Sequence, residues 1–422
     1  APGSLAAALP EHPVGRTERV GNSTVVVPND GGPPIADLYS GAADSEGIYN
    51  DHVNICSHAA LIFGPAFHIS SSDLHVFWQN LNAKGGIYGR NVVDTYQDDQ
   101  YQPGPAVQAA QSCKDQPGGT FFLQGGIGFD QIPAVRQWAE TNHMLYLHHM
   151  ATQNGEQGLR YSFAPLPTIE SLGRFVGEDG VARYHGHTFG VIWRNSSNWQ
   201  GGRDAFVSAL RAHGENVPFD APVNNNQGHY QQEIAAMQAR HVDVLMIWEN
   251  AVASSEIMKE MASQNYRPQT LMASFNLVSQ TVGSDIANPP AVGFGAWPAY
   301  TCHNTSGPYA SYAADIQEFE REYAQYDPGA NLCAQGGDLL FLNWAAQKET
   351  AQMLLDCGAH CTRNRLAGLL LAGYKKNVSP NCPEDWSRQR QQGSFGMTLT
   401  VAYKAPDGNY DFKPTDICKE HL

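Results

Sequence analysis

The 422-residue sequence sets 26 Lys and Arg against 41 Asp and Glu, a formal net charge of −15, which argues against nucleic acid or an anionic lipid surface as partner. Its length suggests two domains with their own cores, and 42% hydrophobic residues fit a globular chain. No run of about 18 apolar residues is present to span a membrane, and 41 Gly with 25 Pro predict many turns between short elements.

In chain order, residues 1–47 hold Pro, Gly and polar residues without sustained periodicity and read as an N-terminal extended arm. Its small, apolar start looks like a mature chain after signal removal. Regular structure begins near Val53. Ser71 or Ser72 caps a helix whose Leu74, Phe77, Trp78 and Leu81 share one face, and Gly85 supplies its stop. A strand over 92–96 follows, then a short apolar strand over 120–123. Pro133 opens a helix with Val135 and Trp138 facing inward, and a strand over 144–147 ends the first series. The prolines of 161–167 predict a connecting segment rather than a core strand.

A second series starts with a strand over 189–193 and a helix bearing Phe206, Ala209, Leu210 and His213, closed by Gly214. The strand 242–248 is flanked by helices marked by Ile234 and Met237 before it and by Ile257, Met258 and Met261 after it. A strand over 271–275 follows. Residues 293–300 read as a further crossing, 339–355 as a long helix, and 395–403 with Asp407-Gly408 before Tyr410 as a hairpin.

Eight cysteines, Cys56, Cys113, Cys302, Cys333, Cys357, Cys361, Cys382 and Cys418, lie mostly among turn residues without paired C-x-x-C modules. An even count without zinc-ribbon spacing favours the disulfide framework of an exported protein over metal ligation. Sequence order alone pairs 56 with 113, 302 with 333, 357 with 361 and 382 with 418. The 16 histidines include His148-His149 at a strand end and His185-Gly186-His187 before another strand. On extended chain these rings point apart, which argues against a transition-metal site and leaves His148 or His149 as a donor to a carboxylate or phenolic ligand.

Alternating strands and helices in two series describe an α/β protein of two lobes facing a cleft. Open α/β sheets bind ligands at strand carboxyl ends, so the residues just after Ile55, Leu123, Leu147, Trp193, Trp248 and Phe275 should line it.

The string Asn82-Ala83-Lys84-Gly85-Gly86-Ile87-Tyr88-Gly89-Arg90, followed by Asp98-Asp99-Gln100 with Pro103 and Val107, resembles the type I periplasmic solute-binding proteins of the leucine/isoleucine/valine-binding family. The likeness continues through Phe63-Gly64-Pro65-Ala66, Gly125-Gly126-Ile127-Gly128, Ala151-Thr152 and Asn198-Trp199-Gln200-Gly201. It implies two Rossmann-like lobes with parallel sheets joined by three hinge crossings, a Venus-flytrap, with 48–163 plus 297–390 as lobe 1 and 164–296 plus 391–422 as lobe 2. It further implies an extracytoplasmic receptor, periplasmic, secreted or lipid-tethered. Such a receptor delivers a small-molecule solute to the permease of an ABC importer, acts as a monomer and needs no cofactor.

Carried over residue by residue, the resemblance places a ligand carboxylate on backbone amides of the loop Gly126, Ile127, Gly128 and Phe129, and on Ala151 and Thr152. Thr152 can donate its hydroxyl and its N–H to an anion, and the glycines admit close backbone approach. Gly128-Phe129-Asp130 stands where the family often has a serine. The acidic partner of an amino-acid ammonium matches Ser274-Phe275-Asn276, which holds no carboxylate. Glu249 or Asp130 then takes that part, or the ligand has no ammonium. Trp199 matches an aromatic placed over the ligand. Phe63, Phe67, Trp248 and Phe275 add apolar walls suited to an aromatic or hydrophobic solute, with His149, Met150 and Asn250 beside them.

The signatures Gly-x-Ser-x-Gly, His-Glu-x-x-His, Gly-x-x-x-x-Gly-Lys and Gly-x-Gly-x-x-Gly are absent, which weighs against an enzyme. The favoured reading is a solute-binding protein that captures an aromatic or hydrophobic carboxylate, or an amino acid, by lobe closure. The alternative is a sensory module that signals to a partner.

Overall fold

The computed structural model describes residues 15–62, 69–126, 128–148, 158–224, 227–273, 285, 288–295, 300, 311–333, 337–388, 392–406, 408 and 410–420. The chain begins with β1 (Gly15–Val20), β2 (Ser23–Pro28), β3 (Ile35–Ala36), β4 (His52–Ala59), α1 (Val76–Ala83), β5 (Asn91–Asp98) and α2 (Pro103–Lys114). Next come β6 (Leu123–Gly125), α3 (Ile132–Asn142), β7 (Tyr146–Leu147), β8 (Ser162–Phe163), α4 (Ile169–Tyr184), β9 (Thr188–Arg194), α5 (Ser197–Ala212) and β10 (Asn216–Val223). There follow α6 (Gln231–Ala239), β11 (Val244–Trp248), α7 (Ala251–Ser263), β12 (Gln269–Ala273), β13 (Val292–Gly295), α8 (Ala313–Tyr326) and α9 (Gly337–Cys357). Last are α10 (Arg363–Leu371), β14 (Lys375–Lys376), β15 (Glu384–Asp385), β16 (Met397–Lys404) and β17 (Tyr410–Lys419). The chain divides into two compact units: Ala1–Pro167 with Arg321–Ala330 and Asn343–Ser394, and Thr168–Glu320 with Asn331–Leu342 and Phe395–Leu422.

In the first unit the sheet runs β5-β4-β6-β7-β8, every pair parallel. β4 is buried on both faces over most of its length, as a central parallel strand must be when helices cover both sides. One face carries Cys56, which is bonded to Cys113 of α2. That helix has Ala106, Ala109, Ala110 and Cys113 as its buried side. The other face carries Ser57, which donates to both oxygens of Asp94 at 2.9 and 3.1 Å, while Trp78 of α1 donates to the same carboxylate at 3.0 Å. Burial pushes the Asp94 carboxyl up to about 6 against these stabilising donors.

Three expectations for this unit need correction. Within 1–47, read as an extended arm, β1 and β2 form an antiparallel hairpin with Val20 opposite Ser23, and β3 extends it. The following segment is tied to the start of α10, where Asn364 Oδ1 accepts the N–H groups of Leu38 and Tyr39, both at 3.0 Å. The cap before α1 is Ser70 rather than Ser71 or Ser72. Asp73 N–H donates to Ser70 Oγ at 3.2 Å and Ser70 N–H to the Asp73 carboxylate at 2.8 Å, a reciprocal pairing set by the three-residue spacing. Finally, the connecting segment 161–167 does contain a strand, because β8 pairs with β7 before the prolines begin.

In the second unit the sheet runs β10-β9-β11-β12-β13-β16-β17, parallel through β13 and antiparallel thereafter. β13 is thus a strand of this sheet, and 296–299, the rest of the stretch expected to be a crossing, lie outside the described residues. On one face Ile192, Leu245, Ile247 and Met272 pack with Ile234, Met237, Ile257, Met258 and Met261 of α6 and α7. On the other, Trp248 meets Trp199 of α5 edge to face, centroids 5.8 Å apart, and its indole N–H donates to the Trp199 carbonyl at 2.8 Å. α4 lies against α5 through glycines. A Cβ on Gly173 would collide with the Gly202 carbonyl, and a Cβ on Gly202 with the Trp248 ring, so small residues set how closely two helices and the sheet can stack. The C-terminal hairpin follows expectation, with Lys404 opposite Tyr410; Asp407 lies outside the described residues.

Candidate functional site

Each parallel sheet reverses its winding at one place. In the first unit the strand after β4 lies on one side of it and β6 on the other; in the second, β10 and β11 flank β9 in the same way. Doubly wound sheets bind ligands beyond the carboxyl ends of the strands at such a switch point. The relevant ends are Ala59 and Gly125 in the first unit and Arg194 and Trp248 in the second.

At the first switch point a polar chain runs out of contact with solvent. His58 Nδ1 lies 2.7 Å from Asp99 Oδ2, and His58 Nε2 lies 2.7 Å from the Tyr146 hydroxyl. The Gln131 amide donates to both Asp99 oxygens at 3.0 and 2.9 Å, and Tyr101 N–H donates to Oδ1 at 2.9 Å. Donors converge on Asp99, so the imidazole hydrogen is assigned to Nδ1, which leaves Nε2 to accept from Tyr146 O–H. His58, Asp99, Gln131 and Tyr146 are each at most 1% exposed. A chain so deeply buried is tolerable only because β4, β7, α3 and the turn after β5 each supply a partner.

The backbone leaving β6 is fastened to this chain. Gly126 N–H donates to the His58 carbonyl at 2.7 Å. Gly128 takes φ +136°, and a Cβ there would overlap the Gln131 side-chain amide, so glycine is required both by conformation and by space. Phe129 is buried, and α3 begins three residues later. His148, also fully buried, sets its ring 4.8 Å from that of Tyr146.

At the second switch point Arg194 Nη1 stands 3.9 Å from Glu249 Oε2, with side-chain exposures of 7% and 0%. Asn250 donates its N–H to the same Glu249 oxygen at 2.8 Å, and its own Oδ1 accepts Ala253 N–H at 3.0 Å. Asn250 is therefore the N-cap of α7. Nearby, burial raises the Tyr230 hydroxyl well above the usual tyrosine range, and the Glu249 charge adds to the effect.

The structure thus brings Gly126, Gly128 and Phe129 together with His148 in one unit, and Trp199, Trp248, Glu249 and Asn250 together in the other. Phe63, Phe67, Ile127, His149, Met150, Ala151, Thr152 and Phe275 lie outside the described residues. Trp199 and Trp248 are 0% and 1% exposed and pack on each other, so both rings serve the second unit's interior. His185 and His187 are directed to separate carboxylates, Glu215 at 2.5 Å and Asp243 at 3.7 Å. Among the described residues no cluster of three or more His, Cys, Asp or Glu is placed to hold a metal ion. Disulfides join Cys56 to Cys113 and Cys357 to Cys361 as expected, and Cys382 and Cys418 each take part in a disulfide, which leaves the expected 382–418 pairing open. Cys302 is outside the described residues, and with it the expected pairing to Cys333.

Sequence reasoning did not name His58, Gln131, Tyr146 or Arg194, although Arg194 directly follows Trp193, one of the strand ends expected to line a cleft. A signal was present for His58 and Arg194, since each stands at the carboxyl end of a strand that neighbours the switch.

A sequence profile described as "Periplasmic binding protein" matches residues 77–352. No curated protein matches the chain. Among solved structures, the chain is similar to a fatty acid ABC transporter substrate-binding protein from Thermomonospora curvata, with 14% identity and a TM-score of 0.72 over 93% of this chain and 96% of that one. It is also similar to an ABC transporter solute-binding protein from Rhodopseudomonas palustris BisB5 in complex with 3,4-dihydroxybenzoic acid, with 13% identity and a TM-score of 0.68 over 87% and 98%. A third is an ABC transporter substrate-binding protein from Desulfitobacterium hafniense in complex with leucine, with 17% identity and a TM-score of 0.61 over 86% and 100%. At these identities the likeness shows a shared fold.

Proposed function

Since the chain belongs to the periplasmic binding protein family, whose members bind solutes rather than catalyse reactions, we propose that it is the extracytoplasmic receptor of an ABC importer for a small organic carboxylate. The observation that carries this reading is the glycine loop at the first switch point. Gly126 and Gly128 let the backbone come against Ala59, the His58 carbonyl and the Gln131 amide, and Gly128, Phe129 and Asp130 lead into the first turn of α3. Amide N–H groups together with the positive end of a helix dipole favour an anion. The similar proteins from Thermomonospora curvata, Rhodopseudomonas palustris and Desulfitobacterium hafniense are described with a fatty acid, 3,4-dihydroxybenzoic acid and leucine, which share a carboxyl group.

Within that class an aromatic or aliphatic carboxylate is favoured over an amino acid. Glu249, one of the carboxylates the resemblance offers to an ammonium, already faces Arg194 at 3.9 Å, and its charge is answered inside the protein. A thermal-shift series with 3,4-dihydroxybenzoate, octanoate, leucine and the corresponding amides tests the reading. Carboxylates should raise the melting temperature in proportion to saturation. Stabilisation by neutral sugars or amides alone would sink it. Uptake in cells that carry the partner permease, with and without this protein, then tests import.

A further inference from the structure

We propose that Gln131, anchored on Asp99, is the positioning residue that holds the backbone of Gly128–Asp130 in its binding conformation and thereby sets the preference for carboxylates over matching amides. This inference rests on the carboxylate reading of the loop given above.

The backbone at Gly126 and that at Gly128 are held by one buried chain. Gly126 N–H is held by the carbonyl of His58 at 2.7 Å. Further on, the Gln131 amide occupies the space beside Gly128 that any Cβ would need. The amide is not free to move aside, because it donates to both oxygens of Asp99 at 3.0 and 2.9 Å. Asp99 in turn is fixed by His58 at 2.7 Å and by Tyr101 N–H at 2.9 Å. The turn that bears Asp99 holds Gln100 and Tyr101 at φ of 53° and 57°, a left-handed conformation that non-glycine residues keep only where their surroundings impose it. The Tyr146 hydroxyl closes the chain on the far side of His58 at 2.7 Å. Nothing in packing alone requires a charged and amide-bearing chain at this depth, and an apolar set of the same volume would bury at lower cost. What the chain adds is rigidity. Backbone already held in place pays little ordering cost when an anion arrives, and the advantage is lost for a ligand that does not draw on its N–H groups.

The test uses the full chain with Gln131→Leu, Gln131→Glu, Asp99→Asn and the Asp99→Asn/Gln131→Glu double variant. Hydrogen exchange is followed in ligand-free protein, and calorimetry uses 3,4-dihydroxybenzoate and 3,4-dihydroxybenzamide as probes. Gln131→Leu should speed exchange across 126–131 while leaving the β11 region unchanged. Loss of an anchoring hydrogen bond to a charged group corresponds to about a tenfold to hundredfold weaker grip on the carboxylate, and the amide should change by less than about twofold. Gln131→Glu should do the same more severely by setting a second carboxylate against Asp99, and Asp99→Asn should partly restore it by re-forming an amide–carboxylate pair with the roles exchanged. Unchanged loop exchange in Gln131→Leu overturns the proposal, and so does an equal loss of affinity for acid and amide. If the unmutated protein binds no carboxylate, the functional reading fails separately, and loop exchange still decides whether Gln131 holds the loop.

Discussion

Replacing both Cys56 and Cys113 by alanine removes the covalent link between β4 and α2, and its effect can be worked out from the chain. The bond spans a sequence separation of 57, against 4 for Cys357–Cys361. Treated as lost loop entropy of the unfolded chain, the two bonds contribute about 4 and about 2 kcal/mol respectively. At roughly 2–4 °C per kcal/mol for a domain of this size, the first unit should melt about 8–16 °C lower without the longer bond. Scanning calorimetry of the two double-alanine variants reads this directly. Cys56 also lies two residues before His58 and therefore on the same face of β4, so exchange at Gly126, whose N–H is held by the His58 carbonyl, should quicken as well. A loss under about 4 °C, or an equal loss from Cys357→Ala/Cys361→Ala, would refute the loop-entropy reasoning.

Gly202→Ala should destabilise the second unit by about 1–3 kcal/mol through overpacking against Trp248, read as a lower urea midpoint. Asn250→Ala should cost about 1 kcal/mol as a lost helix cap with solute affinity unchanged; a large loss of affinity at unchanged stability would make Asn250 a ligand contact instead. Burial first, and then the neighbouring Glu384 carboxylate, raises the Glu349 carboxyl well above its ordinary value, and Asp94 is likewise raised to about 6. Folded carboxyls of this kind hold their protons longer than unfolded ones, so stability is fully present below the ordinary carboxyl range and falls as pH rises through the folded values. Unfolding free energy should therefore decline from about pH 4 to pH 7, and Glu349→Gln should flatten part of that decline; a slope identical to that of the unmutated protein would remove Glu349 from the account.

Strands flanked by periodic helices were legible because their signals are local. β11 with Ile234, Met237, Ile257, Met258 and Met261 around it announces a parallel βαβ unit within some thirty residues. The elements that escaped reading share a physical cause. In α4, Gly173, Gly177 and Gly180 count against a helix by propensity, yet Gly173 is what allows the close approach of Gly202. In β10, Pro218 and Pro222 count against a strand, yet β10 is an edge strand, where a missing N–H costs little. The hairpin β1–β2 carried a turn dipeptide in Gly21-Asn22 before Ser23-Thr24-Val25-Val26-Val27, a cue obscured by the polar residues around it.

The candidate site was legible only in part. The glycines after β6 stood out, since a loop of that composition at a strand end has few other uses. The chain behind them did not, because His58, Asp99, Gln131 and Tyr146 meet across sequence separations of 32 to 88, and apart from the strand-end position of His58 no local pattern marks them. Trp199 shows the opposite difficulty. An indole early in a helix has the same appearance in sequence whether it faces a ligand or, as here, packs on Trp248.

The antiparallel end of the second sheet bears on the order in which the chain can fold. β13 has β12 on one side, and its other edge is filled by β16, more than a hundred positions along the sequence. Until residues 397–419 emerge, a growing chain would carry β13 with open hydrogen-bonding groups, a state favourable neither to compact folding nor to solubility. That edge is closed only when β16 and β17 join the sheet, so the second unit completes its sheet with residues that lie far along the sequence from the strand they cover.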